Sequence, residues 1–451
     1  MEATGRLADN GTSYFIESGY LVAVDSSGHE PTGWPQPLGL RTDLNTQMAF
    51  GSDGTVYAWD DSTVVAYRAD GTRPAGWPHH AAAVEDVLPS PQVVYLESEP
   101  SGSAGCGDES HVITLISTAG AVQSTWTLQG EIAAVGPDGT IYTRQGDSIL
   151  AYGSDGAVKP GWPATGWSNV SMDSSGRVYL SWWKFREITG ISAEGPGEAL
   201  ETRIAAVDQN GQPYAGWPIT IEGAASEPAF GPDGTVYMTR EVFASGSTTP
   251  ADSVMALDAY GKPKPGWPIS VPAGNELLGQ GTIGGPAPDP PQVGSDGTVY
   301  FGAGASDPSS PGILEEVDPS GRPEPGFPSS IDWGSTSNLF FGHGSGRFAV
   351  GRTGLVFTTD DYSVLAIGSD GKAASGWPVK APAHTIIMAA DSEPDGGLLV
   401  QALESSLVMV PSAFADYGSS RALADPLAAL APDFPGTLMV IRYLPDGMVA
   451  P

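Results

Sequence analysis

Apolar and polar residues alternate in short runs along most of the chain, and each run stops at a glycine turn. The run "GSDGTVYAW" from Gly51 has counterparts in "GPDGTIYTR" from Gly136, "GPDGTVYMT" from Gly231 and "GSDGTVYFG" from Gly294. A second phrase follows it: "VVAYRADGTRPAGWP" at 64–78, "ILAYGSDGAVKPGWP" at 149–163, "IAAVDQNGQPYAGWP" at 204–218 and "VMALDAYGKPKPGWP" at 254–268. Alternation with a period of two marks half-buried strands, and glycine turns between such runs join them as hairpins. One unit therefore predicts four strands, A to D. In the second unit A falls near 47–51, B near 55–59, C near 63–68 and D near 76–81.

The second phrase ends on an aromatic anchor: Trp34, Trp77, Trp126, Trp162, Trp217, Trp267, Phe327 or Trp377. Trp126 belongs to a degenerate copy, "VITLISTAGAVQSTWTL", that has lost the Gly and Pro. Anchor spacing varies, for example 43 residues (77 minus 34) and 60 (327 minus 267), which is repeat spacing plus insertions. Repeats of this kind predict an all-β fold, a single β-propeller of four-stranded antiparallel blades over 1–451, whose radial closure leaves few free sheet edges. Eight anchors argue for eight blades. The segment "DGGLLVQALESSLVMV" at 395–410 resembles strands B and C once more, and "TLMVIRYLPDGMVAP" at 437–451 resembles a C strand, so nine or seven blades stay open. Residues 411–436 read as an insertion or extension.

The units resemble those of quinoprotein-type propellers, in which an Ala-x-Asp…Gly…Trp phrase docks each blade on its neighbour. Ala23, Asp25 and Trp34, then Ala206, Asp208 and Trp217, then Ala256, Asp258 and Trp267 carry the resemblance. The Gly-Trp-Pro ending is similar to bacterial secreted propellers of the integrin-like kind. Those carry calcium loops of the form D-x-D-x-D-G, where this chain has only "SDG" and "PDG", so calcium is not carried over. The resemblance extends to blade docking and not to a quinone site, and no cofactor is expected. It implies the extracellular space or cell envelope, although "MEATGRLADNG" does not read as a signal peptide.

Composition fits a turn-rich β body, with 60 Gly, 40 Pro and 16% charged residues. The one helical-looking stretch, "RALADPLAALAPDF" from Arg421, is interrupted by Pro426 and Pro432. No run approaches the roughly 18 apolar residues of a membrane span. A net charge of -32, from 52 acidic and 20 basic residues, argues against nucleic acid, whose partners need a basic footprint. An acidic surface serves solubility, or attracts cations and basic proteins. Cys106, the lone cysteine, has no partner for an internal disulfide, and His111 by itself is weak support for a nucleophile.

In a four-stranded blade the A–B and C–D turns lie at one end, the B–C and D–A connections at the other. The first set is short and uniform. The second carries the insertions: 98–111, 181–203, 241–253, 303–312 and 403–436 between B and C, and 269–290 and 329–346 between D and A. Binding groups concentrate on variable loops held by a rigid scaffold, so the B–C/D–A face is the expected working face. Five tryptophans outside the anchor fall on it: Trp59, Trp167, Trp182, Trp183 and Trp333. Aromatic rings stack on sugars or anchor protein partners, and they equally cap blades and pin loops.

A second candidate is the channel mouth, where residues entering strand A include Gln47, Glu131, Asn169, Glu227 and Arg347, with His343 and His384 just ahead of later A strands. Glu131 and Glu227 would make an acid and base pair if within reach. The adjacent His79 and His80 face opposite ways on a strand and suit structural roles, while the pairs Asp60–Asp61 and Asp360–Asp361 suit B–C turns as well as calcium. The reading is a non-catalytic recognition or assembly scaffold that binds a protein or glycan. The alternatives are a polysaccharide hydrolase or lyase using carboxylates at the channel mouth, and a quinoprotein redox enzyme.

Overall fold

A computed structural model describes residues 5–8, 12–17, 19–25, 29–41, 46–81, 83–91, 93–98, 110–185, 199–242, 251–278, 288–305, 310–331, 340–341, 348–351, 354–359, 363–380, 385–392, 398–405 and 436–443. Among these residues every regular element is a strand, and the strands form nine sheets with four or five members each. The fold is an all-β propeller of antiparallel blades. The chain divides into two compact units, one up to Met172 together with Asp208–Gln212, the other Asp173–Val207 with the residues from Pro213 onward.

Four whole sheets make up most of the first unit. In the second of them, Gln47–Phe50, Val56–Trp59, Thr63–Tyr67 and His79–His80 pair in order, as the alternation predicts. The third is Val84–Pro89, Val93–Ser98, Ser110–Ser117 and Val122–Gln129. The fourth is Glu131–Val135, Ile141–Gln145, Ser148–Tyr152 and Ala164–Thr165.

In the second unit Val178–Phe185, Ala199–Val207 and Ile219–Glu222 are hydrogen-bonded in sequence. Further sheets follow on Val236–Glu241 with Ser253–Leu257, on Val299–Ala305 with Gly312–Val317, and on Val356–Thr359 with Ser363–Ile367. The eight anchors belong to eight of the nine sheets. The remaining sheet carries no anchor: Phe340–Phe341 pairs in parallel with Thr385–Ser392, which leads to Leu398–Ser405 and Gly436–Tyr443. Among the described residues, the stretch 395–410, expected to hold strands B and C, supplies Leu398–Ser405, and that strand pairs with Gly436–Tyr443. The segment 411–435 and the helical-looking run from Arg421 lie outside the described residues.

One device recurs within each unit. The anchor indole N–H donates to a carbonyl in the C–D turn of the following sheet: Trp34 to Ala69 at 3.0 Å, Trp162 to Gln209 at 3.1 Å, Trp217 to Ala259 at 3.0 Å and Trp267 to Pro319 at 3.2 Å. The glycine before the anchor lets the two backbones meet. A Cβ on Gly216, whose φ is +93°, would stand 2.1 Å from the carbonyl oxygen of Tyr260. In that left-handed region an L side chain is strained even without the contact. The aromatic–Pro peptide bonds of these phrases, from Trp34-Pro35 to Trp377-Pro378, are cis. Inside six of the sheets a B-strand aromatic meets the anchor tryptophan edge-on, as in Tyr57 with Trp77 at 5.3 Å and Tyr237 with Trp267 at 5.3 Å. The small Ala of the Ala-x-Asp phrase shares that core, as Ala206 does with Tyr179 and Trp217, and Ala256 with Tyr237 and Trp267.

The aspartates of the turns hold backbone. In the A–B turns, Oδ1 of Asp53, Asp138, Asp233 and Asp296 accepts the N–H of the threonine two residues on, each at 3.0 Å. In the C–D turns, Oδ1 of Asp258 accepts from Tyr260 at 2.8 Å and Lys262 at 2.9 Å, and Asp318 does the same for Ser320 and Arg322. These are Asx turns, which stabilise the hairpin without an ion. Lys264 adds its ammonium to Asp233 at 3.0 Å and to the Thr235 hydroxyl at 2.8 Å. The Thr235 hydroxyl and backbone, then Lys264, outweigh burial and pull the Asp233 carboxyl down to about 2.

Candidate functional site

The B–C end of the blades is where sequence variety concentrates, and two hairpins there are built differently from the rest. In the first, the connection expected at 181–203 begins as a prolonged hairpin. Strand B runs on to Phe185 and strand C starts at Ala199, with Trp182 opposite Arg203, Trp183 opposite Thr202 and Lys184 opposite Glu201. Neighbours on a strand point to opposite faces, so the two tryptophans part company. The Trp183 indole N–H donates to the Ala225 carbonyl at 2.8 Å and pins the hairpin to the next sheet. Trp182 is half-buried on the other face, beside Arg203, followed by an ion pair of Lys184 with Glu201 at 3.6 Å. The result is a short ledge with an aromatic ring, a guanidinium and a charge pair along one side.

The second hairpin is in the third sheet. Glu97, the last residue but one of strand B, is opposite Asp86 of strand A, while Ser98 is opposite Val84, so Glu85 is the extra residue of a β-bulge. Ala83, just before it, has a φ of +48°. Bulges re-aim side chains, and this one turns Glu85 onto the side of Glu97. On strand C, Ile113 is opposite Glu97 and His111 is two residues further along, on the same face. His111 Nδ1 consequently lies 2.7 Å from Oε2 of Glu85 and 3.0 Å from Oε1 of Glu97. Glu97 is 0% exposed, His111 13% and Glu85 29%. The hydrogen bond that the imidazolium donates to Glu85, then that to Glu97, overcomes burial and pushes the imidazole up to about 9. Three ligand-type atoms within 4.8 Å of one another could hold a metal ion.

The other expected residues are distributed as follows. Trp59 is 3% exposed and packs in the core cluster of Trp77, Val84 and Leu96. Trp167 is buried, with its backbone N–H on the Asp147 carbonyl. Glu131 is opposite Arg144 across strands A and B and pairs with it at 2.6 Å. Glu227 is exposed, and its carbonyl accepts the Ser226 hydroxyl at 2.8 Å. Glu131 and Glu227 lie in different compact units. Trp333, His343, Arg347 and His384, together with Cys106, Asp360 and Asp361, lie outside the described residues. His79 packs edge-on to Trp77 and bonds the Gly120 carbonyl through Nε2 at 2.9 Å, while Nδ1 of His80 bonds the Thr63 hydroxyl at 3.0 Å. Asp60 is buried, accepts from the backbone of Ser62 and Thr63 on Oδ1 and from Arg41 N–H on Oδ2, and so ties a B–C turn to a D–A connection.

Sequence reasoning did not single out one further group. Glu315 and Glu316, adjacent on strand C of the seventh sheet, are 5% and 6% exposed. Burial pushes both carboxyls up to about 7, with the charge of Glu324 adding to Glu316. Glu316 is opposite Tyr300, where other sheets place the docking alanine opposite tyrosine, as in Tyr57 with Ala66 and Tyr237 with Ala256. The same sheet has Phe327 in place of the anchor tryptophan. The signal was in the sequence: "ILEEVD" at 313–318 departs from "VMALD" at 254–258.

No protein-family model matches the chain, and no curated protein matches it. Solved structures do. A crystal structure of the eukaryotic initiation factor is similar over 98% of this chain and 95% of its own, with a TM-score of 0.56 and 10% identity. A virginiamycin B lyase from Staphylococcus aureus covers 66% of this chain at 13% identity and a TM-score of 0.33, over 89% of its own length. A chain of the Mitotic Checkpoint Complex covers 67% at 14% identity and 0.36, over 86% of its length. At 10% identity the likeness to the initiation factor is one of fold alone. The class defined is a β-propeller of four-stranded antiparallel blades.

Proposed function

We propose that this propeller is a non-catalytic recognition or assembly scaffold that binds a protein or glycan at the B–C/D–A end of its blades. The observation that carries the reading is the Trp182 ledge: a half-buried indole opposite Arg203, next to Lys184 and Glu201, on a hairpin whose other side is fixed by Trp183. Tryptophan and arginine are enriched in binding hot spots, the indole because it buries a large surface with few rotamers lost and the guanidinium because its donors form a fixed planar fork, and a pre-fixed backbone lowers the ordering cost. An indole beside hydrogen-bonding groups suits a sugar ring equally. Supporting the scaffold over the polysaccharide-enzyme reading, the Glu131 carboxylate is engaged by Arg144. Residence in the extracellular space or cell envelope is part of the proposal and rests on the Gly-Trp-Pro resemblance. No helix among the described residues is long and apolar enough to cross a membrane.

The test is a glycan array and an array of envelope proteins probed with labelled wild-type chain and with Trp182→Ala. Spots lost in the variant while its melting curve is unchanged support the ledge. Identical patterns from both proteins remove it.

A further inference from the structure

We propose that Glu85, Glu97 and His111 are the protein ligands of a divalent transition-metal ion, with zinc the expected occupant, at the root of the 98–111 connection. The site goes beyond the recognition role and does not depend on it. Three strands of one sheet each contribute one donor: Glu85 from the A-strand bulge, Glu97 from the end of B and His111 from the start of C. The donor atoms lie within 4.8 Å of one another. One imidazole nitrogen and two carboxylate oxygens form the set that borderline ions such as zinc accept in sites with an open fourth position, whereas calcium and magnesium take all-oxygen shells.

The spacing fits. Ligand atoms about 2.0–2.2 Å from a tetrahedral ion stand roughly 3.3–3.5 Å apart. Nδ1 is now 2.7 and 3.0 Å from the two oxygens, so the ion needs an opening of a few tenths of an ångström. Charge fits as well. Glu97 is wholly buried, and buried charges are paired or coordinate metals. Two carboxylates and a neutral imidazole balance a dication. Glu85, 29% exposed, provides the side from which an ion enters.

The experiment uses the full chain, stripped with chelator, dialysed and titrated with cobalt(II), whose visible ligand-field bands report four-coordinate N/O binding, then with zinc to displace it. Expected is a band that saturates at one equivalent, is lost in His111→Asn and is weakened about tenfold or more in Glu85→Gln, on the scale of a metal site losing part of its ligand support. Glu85 is the outermost of the three, so its variant keeps the test open if His111→Asn does not fold. No band in the wild type, or the same titration in wild type and Glu85→Gln, overturns the site and leaves a protonated histidine between two carboxylates.

Discussion

Trp217 donates its indole N–H to the carbonyl of Ala259, 42 residues further along the chain and 3.0 Å away, so the anchor of one sheet is finished by the turn of the next. Gly216 makes the approach possible. Gly216→Ala puts a methyl 2.1 Å from the Tyr260 carbonyl at a φ of +93°, while Gly19→Ala, at a φ of +82°, meets nothing within 4 Å. The second substitution should cost about 1–2 kcal/mol of conformational strain alone, and the first distinctly more. Urea midpoints of the two variants decide it, and equal losses would mean that the close approach contributes nothing.

Trp182 and Trp183 should behave oppositely. Trp183→Ala removes a half-buried indole and its bond to Ala225, and a loss of roughly 1–3 kcal/mol is expected. Trp182→Ala should stay within about 1 kcal/mol of wild type and lose ligand on the arrays. Chemical denaturation checks the first number, and unfolding of Trp182→Ala would place that ring in the core instead.

The seventh sheet pairs two departures from the repeat, Phe327 for tryptophan and Glu316 for alanine. Glu316→Ala alone leaves a void beside Tyr300, and Phe327→Trp alone crowds the carboxylate. Together they rebuild the arrangement of Tyr237, Ala256 and Trp267. A double-mutant cycle should show a favourable coupling on the order of 0.5–3 kcal/mol. Strict additivity would show that the two positions do not sense each other.

Burial holds the carboxyls of Glu315 and Glu316 at about 7 against an ordinary 4.5. A folded state that binds the proton more tightly is favoured at low pH, so their contribution is complete below about pH 4.5 and is lost as pH rises through 7. The double variant Glu315→Gln, Glu316→Gln should flatten the fall in stability between pH 5 and pH 8 by on the order of 2–3 kcal/mol per group. Parallel curves for wild type and variant would show that both groups are solvated in the folded protein.

Much of this fold is legible without coordinates because the repeat states it several times over. The Asp-Gly turns at 53–54 and 233–234, the strands around Val56 and Val236, and the docking anchors at Trp77 and Trp267 agree with one another at every level. The site is less so. Alternation separates Trp182 from Trp183 onto two faces but does not say which face meets a neighbour, since that depends on Ala225, more than forty residues away. Trp59 ends its strand in a position that reads as the open end of a blade, yet contacts from Val84 and Leu96 bury it. The gathering of Glu85, Glu97 and His111 depends on one extra residue in a strand, and a bulge leaves no mark in the period of two.

The anchor bonds of Trp34, Trp162, Trp217 and Trp267 each reach from an earlier sheet to a later one. During synthesis each indole must therefore wait for its acceptor: Trp217 emerges 42 residues before Ala259, several seconds at about 5–20 residues per second. For that interval the newest blade presents an unfinished flank, and the ribosome itself sets the order in which the blades can lock. A stall after Trp217 and a stall after Ala259 should thus release nascent chains of very different protease resistance, though they differ by a single repeat.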